Sequence, residues 1–288
     1  MDANATAPEP TRTGSVRCLD PHGFHRLHWV EWGDRDNPRV LVCAHGLTRC
    51  GRDFDFLASR LADAYRVVCP DIAGRGVSDR LADPADYGYP VYCADMATLL
   101  AALGAESVDW VGTSMGGLLG MLLAAVPRTP VGKLVMNDVG SVIPKAALER
   151  IATYVGRDPA FESLEALEAA MRAVSPFGAL DAAQWRHLAA HTAICDDAGR
   201  WRFRYDPGIA QPFRAGALAD VDLRAAWRAV PGPVLVIRGA QSDLLTPEIL
   251  AGMLERPGTE SLVVEGAGHA PMLMDDAQVA AVRAFLLA

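Results

Sequence analysis

The chain has 288 residues, of which 51% are hydrophobic and 22% are charged, and its formal net charge is −8. These proportions are those of ordinary globular proteins, so a disordered or fibrous class is excluded. The acidic balance, without a basic stripe, disfavours nucleic acid as a partner. The longest apolar runs, such as residues 118–126, fall short of the roughly 20 residues that cross a bilayer, so no membrane association is expected.

The N-terminal segment and the cysteines indicate the compartment. Residues 1–13 carry acidic side chains and no apolar run, so they predict a disordered tail and not a secretory signal. The six cysteines form no CxxC pair, which favours a reduced, cytoplasmic protein. His22, His25 and His28 share no metal-ligand spacing with a carboxylate or a thiol, so no metal site is predicted.

Eight short apolar segments predict the strands of one sheet. Residues 14–18 and 26–32 predict an antiparallel pair, joined by a turn at Pro21 and Gly23. From residue 39 onward, apolar runs alternate with helical patterns, which indicates a mostly parallel sheet flanked by helices. The other strands are predicted at residues 40–44, 66–69, 108–111, 133–136, 234–237 and 262–264, and the helices at 54–64, 91–103, 115–125, 223–229, 247–254 and 277–287.

Residues 142–214 interrupt this alternation. They are rich in Ala, Leu and Glu at helical spacing and contain no convincing buried strand. We therefore expect a helical cap inserted between two parts of one α/β core, residues 14–141 and 215–288.

Gly112, Ser114 and Gly116 form a G-x-S-x-G pattern between an apolar strand and a helix. This is the context of a nucleophile elbow, in which a strained turn exposes the serine and the glycines make room for it. A serine hydroxyl needs a neighbouring base to take its proton. His269 follows the last predicted strand in a glycine-rich loop, where this fold places that base. Ser114 and His269 are therefore the predicted nucleophile and base.

A carboxylate must orient the histidine and stabilise the imidazolium. Asp243 follows the strand at 234–237, and Asp138 follows the strand at 133–136. Both lie at the carboxyl edge of a parallel sheet, where sites in α/β proteins assemble. The residues alone leave both candidates open.

The loop at His45, Gly46 and Leu47 follows the strand at 40–44, where a backbone donor to an oxyanion is expected. The N–H groups of Leu47 and Met115 are the predicted donors. His45 is expected mainly to hold this loop, although it and Gly46 are also candidates for contact with substrate.

Two aromatic residues of the predicted cap, Trp185 and Phe203, are further candidates for substrate contact. They would roof an apolar acyl pocket or, equally, form the core of the cap itself. The segment from Asp71 to Asp79 has no Gly-Lys-Ser/Thr after its glycines, so it is not a P-loop. We expect a structural turn there, with Asp71 and Arg75 bonded to the backbone.

Together these motifs resemble the α/β-hydrolase superfamily, and in particular small bacterial carboxylesterases, enol-lactonases and C–C hydrolases of ring-cleavage products. The resemblance covers about residues 24–288 and rests on His45-Gly46, Asp71 with Gly74–Ser78, Gly112–Gly116, Asp243 and Gly268-His269. It implies the fold of that superfamily, with an eight-stranded, mostly parallel sheet and an inserted helical cap. It also implies a Ser114, Asp243 and His269 triad and no cofactor.

The expected activity is hydrolysis of a small, largely apolar carboxylic ester or lactone through an acyl-enzyme. Serine at position 114 disfavours relatives with an aspartate nucleophile, such as haloalkane dehalogenases and epoxide hydrolases. The alternatives are hydrolysis of a C–C bond, acyl transfer, or a ligand receptor with vestigial hydrolysis. C–C hydrolases often have Pro-Gly after the His-Gly pair, whereas this chain has Leu-Thr-Arg-Cys-Gly at residues 47–51. This difference disfavours C–C hydrolysis. The sequence does not specify the physiological substrate or the oligomeric state.

Overall fold

The computed structural model describes residues 8–288. The strands are β1 (Arg12–Asp20), β2 (Gly23–Trp32), β3 (Val40–Ala44), β4 (Arg66–Asp71), β5 (Val108–Thr113), β6 (Val131–Asn137), β7 (Val142–Ile143), β8 (Ala193–Cys195), β9 (Trp201–Phe203), β10 (Val221–Asp222), β11 (Val234–Gly239) and β12 (Thr259–Val264). The α-helices are α1 (Asp55–Leu61), α2 (Tyr89–Leu103), α3 (Met115–Ala124), α4 (Lys145–Ala152), α5 (Leu164–Val174), α6 (Ala182–Thr192), α7 (Gln211–Arg214), α8 (Arg224–Ala229), α9 (Pro247–Leu254) and α10 (Asp276–Leu287).

Eight strands form one sheet in the order β1-β2-β4-β3-β5-β6-β11-β12. β2 runs antiparallel to both of its neighbours, and the remaining pairs are parallel. Strands β3 and β11 are buried along their whole length, as expected of central parallel strands covered on both faces. The predicted eight-stranded, mostly parallel sheet is confirmed.

The N-terminal strand begins earlier than predicted. β1 starts at Arg12, which lies opposite Glu31 in the antiparallel pair and forms an ion pair with it at 3.2 Å. Thr11 continues the pairing, since its N–H donates to the Glu31 carbonyl at 2.8 Å. The prediction of a tail through residue 13 is therefore wrong for residues 12 and 13, and its residues 1–7 lie outside the described part of the chain.

Two apolar clusters fill the space on the two faces of the sheet. One contains side chains of α2, α3, α8 and α9 and includes the fully buried Trp110. The other contains side chains of α1 and α10. Helices on both faces hold the strands rigidly, so the loops at the carboxyl edge of the sheet are fixed in place.

An insertion between β6 and β11, residues 142–214, carries α4 to α7 and the short strands β7, β8 and β9. β8 pairs with β9, and β7 pairs with β10, which follows the insertion. A third apolar cluster joins α5 and α6 of this insertion to Met272 and Met274, which follow His269 in the chain. The insertion therefore packs against the loop that carries the predicted base.

Within residues 8–288 no helix combines the length and the hydrophobicity needed to cross a membrane. All six cysteines lie in this described range, and each is a free thiol. A cytoplasmic location stays a prediction.

Candidate active site

Ser114 occupies the turn between β5 and α3. Its backbone has φ 53° and ψ −116°, a strained conformation for a residue with a side chain. The turn is tight because α3 approaches the sheet closely: a Cβ on Gly116 would lie 2.0 Å from the Ala44 carbonyl oxygen, and one on Gly112 would lie 2.2 Å from that of Gly116. The indole of Trp110 also donates to the Gly116 carbonyl at 2.9 Å. The glycines of the G-x-S-x-G pattern are thus required by backbone packing.

His269 lies within hydrogen-bonding distance of Ser114. The imidazole Nε2 is 2.9 Å from Ser114 Oγ, so the hydroxyl can donate to it. The loop that carries His269 is held from the insertion, because Gly268 donates its N–H to the Pro176 carbonyl at 2.7 Å. The structure therefore brings together the two residues that the sequence paired as nucleophile and base.

Asp138 is the carboxylate that contacts His269. It follows β6 directly, its side chain is fully buried, and its Oδ2 lies 2.8 Å from His269 Nδ1. The carboxylate also accepts from the Ser242 hydroxyl at 2.6 Å and from the Gly239 N–H at 2.8 Å. These bonds fix the Asp138 carboxylate beside the ring, which sets the imidazole with its proton on Nδ1 and a free lone pair on Nε2.

The expectation that Asp243 orients the histidine is wrong in this structure. Its side chain is half exposed and forms a bidentate ion pair with Arg150, at 2.9 Å between Arg150 Nη2 and Asp243 Oδ1. The turn after β11 aims Ser242 inward toward Asp138, and the next residue therefore points outward. Asp138 is the other candidate that the sequence offers, and it follows β6 directly.

The loop after β3 lies against the serine. A Cβ on Gly46 would be 3.7 Å from Ser114 Cβ, so the glycine allows the backbone to approach the site. The Leu47 carbonyl accepts from Arg75 Nε at 2.8 Å, which fixes the orientation of this loop. Met115 is the first residue of α3, and the N–H of a first-turn residue has no acceptor within its helix. The predicted role of Leu47 and Met115 as donors to an oxyanion stays a prediction.

The predicted turn around Arg75 and Asp71 is confirmed. The Arg75 guanidinium is buried and donates to backbone carbonyls of Leu47 and Ala73. Asp71 accepts from the N–H groups of Gly51 and Val77 at 2.7 and 2.9 Å. Both side chains brace the loops beside the site.

His45 has a structural role in the loop after β3, and its contact with substrate stays a prediction. It is fully buried, and burial lowers the pKa of its imidazole to about 4. The neutral ring donates from Nδ1 to the Gly46 carbonyl at 2.7 Å and accepts at Nε2 from the Ile72 N–H at 2.9 Å. Because both nitrogens are occupied, His45 holds the loop, as its expected main role required.

Comparison with known proteins identifies the family. A profile described as the alpha/beta hydrolase family matches residues 41–282. The chain belongs to the α/β-hydrolase family.

Relatives within this family are named as hydrolases. A 3-hydroxybutyrate-oligomer hydrolase from Cupriavidus necator is 50% identical, over 93% of this chain and 95% of that protein. A 2-(acetamidomethylene)succinate hydrolase from Mesorhizobium japonicum is 30% identical, over 80% of this chain and 81% of its own. The solved structure of an α/β hydrolase from Novosphingobium aromaticivorans superposes with a TM-score of 0.85 at 39% identity, covering 96% of this chain and 98% of that one.

The two aromatic candidates in the insertion, Trp185 and Phe203, belong to its apolar cluster. Trp185 is buried and stacks on Phe177, with ring centroids 5.6 Å apart. Phe203 is partly buried and packs edge-on against Phe161 at 5.8 Å. Contact of Trp185 or Phe203 with substrate stays a prediction.

Within the described residues, 8–288, three groups of side chains have the composition of a metal site. Ligand atoms of Asp55, His187 and His191 lie within 4.8 Å of one another. Arg52 already bonds to the Asp55 carboxylate, and burial together with the charge of Arg52 lowers the pKa of His191 to about 3. The guanidinium thus supplies the positive charge that an ion would bring. The other groups are Cys18, His25 and Asp95, and Asp20, His22 and Asp86.

Proposed function

We propose that this chain is a serine hydrolase that cleaves a carboxylic ester through Ser114, His269 and Asp138. The observation that carries the proposal is the continuous chain of contacts from Ser114 Oγ to His269 Nε2 at 2.9 Å and from His269 Nδ1 to Asp138 Oδ2 at 2.8 Å. Nucleophile, base and orienting carboxylate are recognised by this geometry and not by their order in a sequence.

The reaction begins when His269 removes the proton of Ser114 and the serine oxygen adds to the ester carbonyl carbon. The resulting oxyanion accepts hydrogen bonds from the N–H groups of Leu47 and Met115, each worth on the order of 3 kcal/mol in the transition state. The imidazolium, stabilised by Asp138, then protonates the departing alcohol and an acyl-enzyme remains. A water molecule activated by the same histidine releases the acid and restores the serine.

The substrate class follows from the relative and from the chemistry of the site. The 50% identical protein is named for oligomers of 3-hydroxybutyrate, in which successive units are joined by carboxylic esters. We therefore propose small ester oligomers of a hydroxy acid as substrates, with the insertion, residues 142–214, acting as a cap over an apolar acyl site. No cofactor takes part in these steps.

Replacing Ser114 with alanine tests the proposal. Ser114→Ala should lower kcat for hydrolysis of the 3-hydroxybutyrate dimer by several orders of magnitude, because the nucleophile is removed. Ser59→Ala, which removes a hydroxyl bonded within α1, is the matched control and should keep full turnover. Unchanged turnover in Ser114→Ala would contradict the nucleophile assignment.

The rival activities give different results with the wild-type protein. A C–C hydrolase turns over a dienoic ring-cleavage product quickly and p-nitrophenyl esters slowly, whereas our proposal requires the reverse order. Acyl transfer would shift the products when a competing alcohol is added. A receptor would bind its ligand equally well after Ser114→Ala.

A further inference from the structure

Arg49 is a largely buried cation, with 13% of its side chain exposed, that the proposed reaction does not use. Its guanidinium holds Asp53 with two bonds, from Nε at 2.8 Å and from Nη2 at 2.6 Å. Nη1 instead lies 3.4 Å from the thioether sulfur of Met171, and the guanidinium sits 5.7 Å from the ring centroid of Phe177. A thioether is a weak acceptor, and within residues 8–288 Nη1 has no oxygen as a partner. The Nη1 group of this largely buried guanidinium can therefore donate to a stronger acceptor than the Met171 sulfur.

The position of Arg49 is close to the reacting serine. The point where Gly46 would carry a Cβ lies 3.7 Å from Ser114 Cβ and 3.8 Å from Arg49 Cγ, so both side chains flank one glycine. The guanidinium also lies over the ring of Phe177. Pro176, the residue before Phe177, accepts through its carbonyl from the N–H of Gly268, which precedes the proposed base. Arg49 thus lies between the serine, the histidine loop and the insertion.

We infer that Arg49 binds a free carboxylate of the substrate, and that the chain selects esters of hydroxy acids whose acid end is unblocked. This inference rests on the proposed ester hydrolysis. A carboxylate is a much stronger acceptor for Nη1 than the sulfur of Met171, and the flexible methionine can give way to it. Asp53 holds the guanidinium plane in a fixed orientation, which favours recognition of a planar anion.

A short hydroxy acid places its carboxylate close to the scissile ester. In an ester of 3-hydroxybutyrate, the ester oxygen and two carbons separate the scissile carbonyl carbon from the carboxylate carbon of the next unit. Ser114 and the stem of Arg49 flank the same glycine, so the carboxylate of such an ester would lie on the Arg49 side of the serine. The carboxyl-terminal ester bond of an oligomer is therefore the one presented to Ser114.

The test compares the 3-hydroxybutyrate dimer with its methyl ester, which keeps the scissile bond and removes the anion. The wild-type protein should prefer the free acid by about tenfold or more in kcat/KM, since a charge-assisted hydrogen bond is lost with the methyl ester. Arg49→Gln combined with Asp53→Asn should abolish this preference, and the double change leaves no unpaired buried charge. Circular dichroism and turnover of the methyl ester report whether the variant is folded.

A second arginine of the same kind is the matched control. Arg172 also pairs with a carboxylate four residues away, Glu168, and lies over an aromatic ring, that of Trp185 at 5.3 Å, but its side chain is 39% exposed. Arg172→Gln should keep the preference for the free acid. The inference is overturned if wild type shows no preference, if the Arg49 variant retains it, or if Arg172→Gln loses it equally. Turnover that survives Ser114→Ala would instead overturn the proposed function.

Discussion

Asn in place of Asp138 should lower kcat/KM by about three to four orders of magnitude, because a histidine held by an amide adopts the wrong tautomer. Asp138 accepts through both oxygens, at Oδ2 from His269 and Ser242 and at Oδ1 from Gly239. An amide has only one accepting oxygen. If its NH2 faces His269 Nδ1, the ring proton moves to Nε2, and the ring can no longer accept the proton of Ser114.

The other amide orientation keeps the tautomer but turns the NH2 toward the Gly239 N–H. Two donors then face each other in a fully buried position, which costs about 1 to 3 kcal/mol of stability. One orientation of the amide therefore lowers the catalytic rate, and the other lowers the stability of the folded protein. Steady-state hydrolysis of the 3-hydroxybutyrate dimer together with urea unfolding separates the two effects.

Asp243→Asn is the matched control for this experiment. The half-exposed pair of Asp243 with Arg150 contributes at most about 1 kcal/mol, and the side chain does not contact His269, so activity should change by less than about threefold. A variant of Asp138 that keeps more than a tenth of the wild-type kcat/KM, or a variant of Asp243 that loses a thousandfold, would refute the assignment of the acid.

Three further substitutions probe the supports of the site. Ser242→Ala removes a donor to Asp138 and should lower kcat about tenfold with little change in KM; an unchanged kcat counts against that support. Gly116→Ala would place a Cβ 2.0 Å from a β3 carbonyl and should destabilise the protein by about 3 kcal/mol or more in urea unfolding, whereas Gly252→Ala in α9 meets nothing within 4 Å and should be neutral or slightly stabilising. The folded-state pKa of His45 is about 4, below that of an unfolded histidine, so the unfolded state takes up the proton first as pH falls. About 3 kcal/mol of stability is therefore lost between pH ~6.5 and 4. His45→Gln should remove that part of the pH dependence, and an identical slope in both proteins would disprove the linkage.

The sheet and most helices were predictable because their signals are local. Buried strands such as β3 and β11 are continuous apolar runs, and the alternation with helices leaves few other topologies. The start of β1 was missed because Arg12 and Thr13 carry no apolar pattern, and only the pairing with β2 makes them part of the strand.

The site was predictable where chain order decides it and ambiguous where side-chain direction decides it. Ser114 and His269 each stand in a distinctive local context, and the structure places them together. Asp138 and Asp243 both follow a core strand, so the choice depends on which way a turn aims each side chain. That direction is set by the bond from Ser242 to Asp138, which no local pattern records.

Covalent labelling of Ser114 tests the central claim most directly. An alkyl phosphonate p-nitrophenyl ester mimics the tetrahedral intermediate and should inactivate the protein with one equivalent of bound label. Peptide mass spectrometry should then locate the adduct on Ser114, and Ser114→Ala should take up no label. Full inactivation with the label on any other residue, or full activity with Ser114 labelled, would contradict the account.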